Sequence, residues 1–355
     1  MKQSQKTCKK IVIKIGSSLL SSAKSGTATH LIDSIAEQIA RLLKQGREAV
    51  IVSSGAISCG MGILGIENRP KDLARLQAAA AIGQNELMDL YRDAFKKRSI
   101  NCAQVLLTWE DFSGRKRYLN AKNTLNTLLK LGSVPVVNEN DTVSTEEIKF
   151  GDNDRLSALV AGLIKADLLL ILSDVDGLLD KENNLIRAVC SINAEVKSLA
   201  SPTDKKTCVG GMITKLEAAK ISIDSGIPCV IANGRAKDVV ISVADDPDSC
   251  GTLFAPRKSY LCGRKHWIAF GTRPKASVSV DEGAKRALLN NKSLLTVGVK
   301  AAKGNFDCGD IISVTDTHGA EFARGRAGIS DLQLEKTYGK RSDRELIHRD
   351  NIVIL

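Results

Sequence analysis

The chain has 355 residues, 43% hydrophobic, 26% charged and only 4% aromatic; that length sets an expectation of about two domains of ~100–200 residues, with an aliphatic core. No apolar run reaches the ~18 residues a membrane span needs, and Met1 to Lys6 carry no apolar leader stretch, so the expected location is the cytoplasm. Lys and Arg number 51 against 40 Asp and Glu, a net charge of +11 that points to an anionic partner (nucleotide, nucleic acid or charged metabolite) without choosing among them.

Nine cysteines, at 8, 59, 102, 190, 208, 229, 250, 262 and 308, are odd in number and never spaced C-x-x-C. With only four His and no zinc ligand set, reduced, mostly buried thiols are expected. The charge excess is uneven. Residues 1–258 hold 35 basic and 29 acidic side chains, and residues 259–355 hold 16 and 11. The last quarter of the chain thus carries nearly half of the excess, a sign of two domains with different jobs.

In chain order, Lys10–Ile15 is an aliphatic strand ending at Gly16. Leu31, Ile32, Ile35, Ile39, Leu42 and Leu43 recur at helical spacing over 31–45, with Gly46 placed as the C-terminal cap. Residues 48–52 form the next strand. Further strands are expected at Cys102–Leu107, 134–137, 168–172 and 228–232, and helices at 73–97, 121–131, 155–165 and 212–225. Near-continuous aliphatic strands alternating with helices predict an α/β fold: a mainly parallel central sheet covered on both faces, a three-layer αβα sandwich. The texture changes over 246–256, giving a first domain at 1–258, a basic linker at 259–272 and a second domain at 273–355. There, short strands at 277–280, 294–299, Ile311–Thr315 and 351–355, with one helix at Glu282–Leu289, predict a small, mostly β domain.

Ligands of such sheets bind beyond the carboxyl ends of the strands. No Walker-type phosphate loop is present. The glycine pattern Gly60-Met61-Gly62-Ile63-Leu64-Gly65 begins eight residues after Val52. A dinucleotide site needs its glycines in the strand–helix turn itself, so this run reads as a helix terminus and loop.

Other strand ends carry more. Lys14-Ile15-Gly16-Ser17-Ser18 offers a cation, close backbone approach and two hydroxyls, which suits phosphate; the plain alternative is a surface lysine before a turn. Ser53-Ser54-Gly55-Ala56 is an anion cradle at a helix N-terminus or a simple serine cap. Asn138-Glu139-Asn140-Asp141-Thr142 leaves a buried strand with five polar residues, able to hold an ammonium and a carboxylate together, as on an amino acid. In Phe150-Gly151-Asp152-Asn153-Asp154, Asp154 is placed to orient donors and Asn153 to donate to a carboxylate; a turn plus helix cap is the alternative. Ser173-Asp174-Val175-Asp176-Gly177 suits a ribose or an adenine amine. Val209-Gly210-Gly211-Met212-Ile213-Thr214-Lys215 opens a helix as a second phosphate element, or is a surface loop.

Lys14 and Lys215 facing one phosphoryl group would neutralise the charge that accumulates when two anions react, with Mg²⁺ bridging the ATP oxygens.

On these segments, together with Leu76-Gln77-Ala78-Ala79-Ala80-Ala81-Ile82-Gly83-Gln84, residues 8–258 resemble the amino acid kinase family, in the branch that phosphorylates glutamate. The second domain resembles a PUA domain, a small β-barrel frequent in RNA-modifying proteins, through Val280-Asp281-Glu282-Gly283-Ala284, Ala287-Leu288, Ser293-Leu294-Leu295, Gly298-Val299, Gly304-Asn305-Phe306 and Gly309-Asp310. The resemblance implies ATP-dependent phosphorylation of the glutamate side-chain carboxylate to L-glutamyl 5-phosphate, the first step of proline synthesis. It implies Lys14, Lys215 and Asp154 as catalytic residues. Glutamate is expected on Ser54, Asp141 and Asn153, and ATP on Lys14, Ser173, Asp174, Val209, Gly210, Gly211, Met212, Ile213, Thr214 and Lys215. Mg²⁺ would be held through the ATP phosphates, with no protein ligand assigned. Proline feedback, with 112–122 as the regulatory candidate, a homo-oligomer (dimer or tetramer) and coupling to glutamyl phosphate reductase are further implications. Ser173 stands where the family commonly has Thr and keeps the hydroxyl; 178–181 departs from the family pattern on the adenine side. Competing readings are another amino acid kinase, acting on aspartate, acetylglutamate or carbamate, and an RNA-binding PUA protein with a regulatory kinase-like domain.

Overall fold

The computed structural model describes residues 8–20, 27–143, 153–200, 211–256, 264–271, 274–337 and 344–355. The chain divides into two compact units: Met1–Asp111 with Lys116–Tyr260, and Leu261–Leu355, with which the short segment Phe112–Arg115 groups.

In the first unit eight strands form one sheet: β1 (Lys10–Ile15), β2 (Glu48–Ser53), β3 (Cys102–Leu107), β4 (Val134–Glu139), β5 (Leu168–Ser173), β6 (Ala188–Val189), β7 (Cys229–Asn233) and β8 (Thr252–Phe254). Their order is β3-β4-β2-β1-β5-β7-β8-β6. All pairings from β3 to β7 are parallel, while β8 runs antiparallel to β7. The sheet is mainly parallel, as the aliphatic strands predict. The chain builds outward from β1 through β2 to β4 and β3, then reverses and adds β5 and β7 on the other side. The reversal falls between β1 and β5, the place along such a sheet where ligands generally bind, beyond the carboxyl ends of the strands.

Alternation along β1 assigns the two faces. Ile11, Ile13 and Ile15 pack with Ile35 and Ile39 of the Thr27–Lys44 helix, Leu87 and Phe95 of the Leu73–Lys96 helix, and Val240 of the Val239–Asp245 helix. Lys10, Val12 and Lys14 point the other way. There Lys10 Nζ meets Asn126 Oδ1 of the Arg115–Lys130 helix at 3.3 Å, and Lys14 meets the Asn153–Ile164 helix. Ten of the twelve residues of that helix are buried, so it is enclosed between the sheet and the Met212–Asp224 helix rather than lying on the surface. Each fully buried Leu, Ile or Val contributes about 1.5–3 kcal/mol, which explains how a core so poor in aromatics suffices.

The glycine run at 60–65 is structural. Gly60 and Gly62 lie within the Ala56–Ile63 helix. A Cβ on Gly60 would sit 1.8 Å from the Ala79 carbonyl oxygen, and one on Gly83 1.9 Å from that of Ala56. The Ala56–Ile63 and Leu73–Lys96 helices therefore touch backbone to backbone, which only glycine permits.

The second unit has a five-stranded sheet ordered β11-β9-β12-β13-β15 and a separate β10-β14 pair. The strands are β9 (Ala276–Val280), β10 (Leu294–Leu295), β11 (Val299–Lys303), β12 (Ile311–Thr315), β13 (Glu321–Arg326), β14 (Glu345–Ile347) and β15 (Ile352–Ile354). Val278, Val280, Ile312, Val314 and Ala323 line its core with Leu288 and Leu346. The single strand expected over 294–299 is broken by a 3₁₀ turn at Thr296–Gly298. Strand β13 is absent from the sequence reading because its inward residues, Ala323 and Gly325, give no hydrophobic signal.

The seven described cysteines are all free. Among the described residues no helix is long and apolar enough to cross a membrane.

Candidate active site

Four adjacent parallel strands, β4, β2, β1 and β5, end side by side, so residues far apart in sequence meet at one edge. Lys14 is the penultimate residue of β1, in register with Val52 of β2 and Ile171 of β5. The Asn153–Ile164 helix begins two residues earlier than its apolar pattern predicts, which puts Asn153 and Asp154 in its first turn. The Met212–Asp224 helix begins beside it, behind an extended Gly211 cap.

These elements bring Lys14, Asp154, Thr214 and Lys215 together. Lys14 Nζ lies 2.5 Å from Asp154 Oδ1 and Lys215 Nζ 3.6 Å from Asp154 Oδ2. Thr214 Oγ1 donates to the same Oδ2 at 2.7 Å. All three charged residues are buried, at 5, 3 and 8% exposure for Lys14, Asp154 and Lys215. Burial alone would raise the Asp154 pKa; the charges of Lys14 and Lys215 and the hydrogen bonds from Lys14 and Thr214 outweigh it and hold the carboxyl at about 2. The cluster carries one negative and two positive charges, a net +1 in a nearly dry setting that favours an anion. A Cβ on Gly16 would sit 3.2 Å from the Leu172 carbonyl oxygen, so glycine lets the loop leaving β1 pack closely against the end of β5.

Beside the cluster lies a chain of carboxamides. Asn153 Nδ2 is within hydrogen-bond distance of Ser53 O (2.8 Å), Asn138 Oδ1 (2.9 Å) and Ser54 Oγ (3.1 Å). Asn138 Oδ1 also accepts from the Glu139 backbone N–H at 2.9 Å, and Asn138 Nδ2 donates to Gln84 Oε1 at 2.8 Å. A backbone carbonyl only accepts and a backbone N–H only donates. Ser53 O and Glu139 N–H therefore lock the orientation of all three amides. Asn153 has its donors engaged inside the protein and keeps Oδ1, a buried atom with no hydrogen-bond partner among the described residues. The sequence expectation has Asn153 donating to a carboxylate; here its side-chain N–H groups face Ser53 O, Ser54 Oγ and Asn138 Oδ1, and the side-chain atom left over is an acceptor. Ser53 Oγ is braced in turn by Tyr91 OH at 2.9 Å, and burial raises the Tyr91 pKa, so that phenol stays protonated.

The remaining expected residues spread along the same edge. Ser54 follows β2 and is buried, and Gly55, at φ 104°, caps the next helix in the left-handed region. Asp141 lies half-buried beyond β4, near enough to Arg69 for their charges to interact. Ser173, the last residue of β5, is buried and donates to Asp174 Oδ1 at 3.2 Å. Asn233, ending β7, donates to Asp176 at 2.9 Å. Gly211 is the helix cap and Ile213 is exposed. Val209, Gly210 and the 150–152 part of the Gly-Asp-Asn-Asp run lie outside the described residues.

Sequence reasoning carried Ser53 and Asn138 only within their strand-end segments and Gln84 only within the 76–84 run, without a role for any of the three, and it did not single out Arg69. For Gln84 a signal exists. It falls in the buried series Leu76, Ala80, Gln84, Leu87, Tyr91, a polar side chain at a position whose neighbours are core. Arg155, next to Asp154, stacks over the Trp109 ring at 4.2 Å, a cation–π contact that local sequence does not disclose. Among the described residues no group of three or more His, Cys, Asp or Glu comes together, and both Asp154 oxygens are engaged, so these residues do not form a metal cage of their own.

The fold and this strand-end cluster, two ammoniums about one buried carboxylate, suit a protein that handles phosphoryl groups. The Amino acid kinase family model matches residues 9–233 and the PUA domain model residues 276–347; the chain belongs to the amino acid kinase family. Over its full length it is similar to proteins named Glutamate 5-kinase. One from Caldanaerobacter subterraneus subsp. tengcongensis is 43% identical over 98% of each chain. Another, from Geobacter metallireducens, is 44% identical over 99% of this chain and 98% of its own. The solved structure of N-acetylglutamate synthase from Neisseria gonorrhoeae shares the fold, with a TM-score of 0.52 and 17% identity over 71% of this chain and 60% of that one.

Proposed function

We propose that the chain is a glutamate 5-kinase: an ATP-dependent phosphotransferase that makes L-glutamyl 5-phosphate and ADP from L-glutamate and ATP. The observation that carries the reading is the buried Lys14–Asp154–Lys215 cluster at the strand ends. The acceptor carboxylate, with an ordinary pKa of about 4.3, is already ionised at neutral pH, so the reaction needs no general base. What it needs is relief of repulsion between two anions and a fixed in-line geometry. Lys14 and Lys215 supply the positive charge, and Asp154, ionised throughout the physiological range, keeps the two ammoniums from separating.

Ser54, Asp141 and Asn153 hold glutamate in this reading. Asn153 Oδ1 is left to accept from the substrate ammonium, and the backbone beyond β2 faces a carboxylate. Ser173, Asp174 and the 209–215 segment hold ATP. Mg²⁺ enters as the counter-ion on the ATP phosphates. Residues 1–258 carry both sites, the enzyme works in the cytoplasm, and its product leads towards proline, which acts as a feedback inhibitor. A homo-oligomer and coupling to glutamyl phosphate reductase complete the proposal.

The test is a substrate panel of glutamate, aspartate and N-acetylglutamate, with and without proline. ADP formation and hydroxamate trapping of an acyl phosphate are the readouts. Turnover with glutamate alone is expected, and preference for either other acid overturns the substrate. Lys215→Ala is expected to lower kcat by about 10²–10³-fold; an unchanged rate overturns the site.

A further inference from the structure

The two lysines of the cluster are not held alike. Lys14 is clamped on Asp154 Oδ1 at 2.5 Å. Lys215, on the other oxygen, stands off at 3.6 Å, beyond the 2.7–3.2 Å of a hydrogen bond. The place it would take on Oδ2 is filled by the Thr214 hydroxyl at 2.7 Å. The Thr214 hydroxyl has one proton and two acceptors in reach, Asp154 Oδ2 at 2.7 Å and the Gly211 carbonyl oxygen at 2.9 Å, and the ionised, nearer carboxylate is the stronger of the two. Among the described residues Asp154 is the only anion that pairs with Lys215. A buried ammonium so loosely held keeps its N–H donors available to an incoming anion.

We propose that Thr214 is a positioning residue. By occupying Asp154 Oδ2 it prevents Lys215 from collapsing onto the carboxylate and so keeps that ammonium available to the transferring phosphoryl group. Thr214 was expected only as part of the ATP-binding loop; here its hydroxyl faces the carboxylate that organises the lysines. The result is a division of labour. Lys14 is a fixed charge, and Lys215 is the one that follows the phosphoryl group as it moves from donor to acceptor. Thr214→Val removes the hydroxyl and keeps the shape. Lys215 then gains the vacated lone pair and closes on Asp154 to form a second tight pair, which must be broken before each transfer. The proposal rests on the reading of Lys14, Lys215 and Asp154 as the transfer machinery.

The experiment is steady-state kinetics on the full-length protein with Thr214→Val, Thr214→Ala and Thr214→Ser, each also combined with Lys215→Ala. Thermal unfolding confirms that each variant is folded, and Thr214→Ala carries the test if Thr214→Val does not fold. Loss of the hydroxyl is expected to lower kcat by about 10–100-fold, as a misplacement near 1 Å does, with the KM for ATP changed by less than about threefold and glutamate likewise. Thr214→Ser is expected to recover kcat to within about threefold. In the Lys215→Ala background, loss of the hydroxyl is expected to cost less than about threefold, because the group it acts through is gone. Wild-type kcat without the hydroxyl overturns the proposal. So does a raised KM for ATP at unchanged kcat, which marks a direct nucleotide contact. So does an equal loss in the Lys215→Ala background, which marks an effect on Lys14 or on the fold. Wild-type turnover by Lys215→Ala alone overturns the site reading itself, and is told apart from the others by involving no change at Thr214.

Discussion

The two units of the chain differ in how completely they bury a paired charge. The first buries one cluster completely while leaving pairs such as Arg92–Asp89 at the surface: Lys14, Asp154 and Lys215 sit at the end of a sheet whose strands are buried on both faces. The second has pairs such as Lys275–Asp310 and Lys285–Asp316, both at 2.9 Å, in which the carboxylate is largely covered but the lysine side chain keeps 62 and 27% of its surface in solvent. The distances are similar but the surroundings are not. A pair with solvent on one side is screened and contributes little. A buried cluster is strongly coupled, and removing one member leaves the others uncompensated. The buried charge of the first unit is the part that the proposed chemistry uses, and Asp316 in the second holds the 316–320 turn through the His318 and Ala320 backbone N–H groups.

Asp154→Asn tests that contrast most severely. It leaves two ammoniums facing each other without a carboxylate. We expect kcat to fall by at least about 10³-fold, and the first unit to lose about 3–5 kcal/mol in urea unfolding. The chain's two tryptophans fall one in each unit, Trp109 in the first and Trp267 in the second. A Trp267→Phe background therefore reports the first unit by itself. A small loss there would break the contrast.

Gly83→Val comes next. Its Cβ would meet the Ala56 carbonyl oxygen at 1.9 Å and the Gly60 nitrogen at 2.3 Å, so the two helices must part. Overpacking of this kind costs about 1–3 kcal/mol. The Ala56–Ile63 helix carries Gly55 and Ser54 at its start, so a rise in the KM for glutamate should accompany the lower stability. An unchanged KM would show that the strand end, rather than the helix pair, sets the Ser54 position.

The smallest effect is expected at Asp316. Hydrogen bonds from Lys285 Nζ, then from the Ala320 and His318 backbone N–H groups, hold its pKa at about 2. Asp154 is held at about 2 as well. Both carboxyls lie below the usual 3.8. Each contribution to stability is thus fully present above about pH 4 and is lost as the pH falls through about 2. Salt separates them. Raising it to about 1 M shortens the screening length to about 3 Å, which should weaken the Asp316 contribution and leave that of Asp154 nearly intact. Acid unfolding of the Asp316→Ala and Asp154→Asn variants at low and high salt measures this; equal salt sensitivity would erase the distinction between the units.

Much of this was legible along the chain. The strands β1, β3 and β12 follow directly from short aliphatic runs, and Lys14, Asp154 and Lys215 stand out because each follows or opens such an element beside glycine or Asn. Less legible were the polar ends of strands. The 134–137 strand continues through Asn138 and Glu139, because backbone pairing with Leu106 and Leu107 outweighs their polar side chains. The segments at 188–189 and 252–254 become strands only because neighbouring edges need partners.

The sequence by itself determined the class of fold, the family and the identity of the charged groups, since these rest on periodicity, composition and motif order. Only the tertiary structure decided how those groups divide their bonds: that Asn153 offers an oxygen, that Gln84 anchors the amide chain, and that Thr214, not Lys215, takes the second oxygen of Asp154. The reason is physical. Periodicity reports which face a residue occupies, but an amide's orientation and a carboxylate's partners depend on atoms contributed by strands and helices 54, 60 and 100 residues apart in the chain, and no local pattern encodes them.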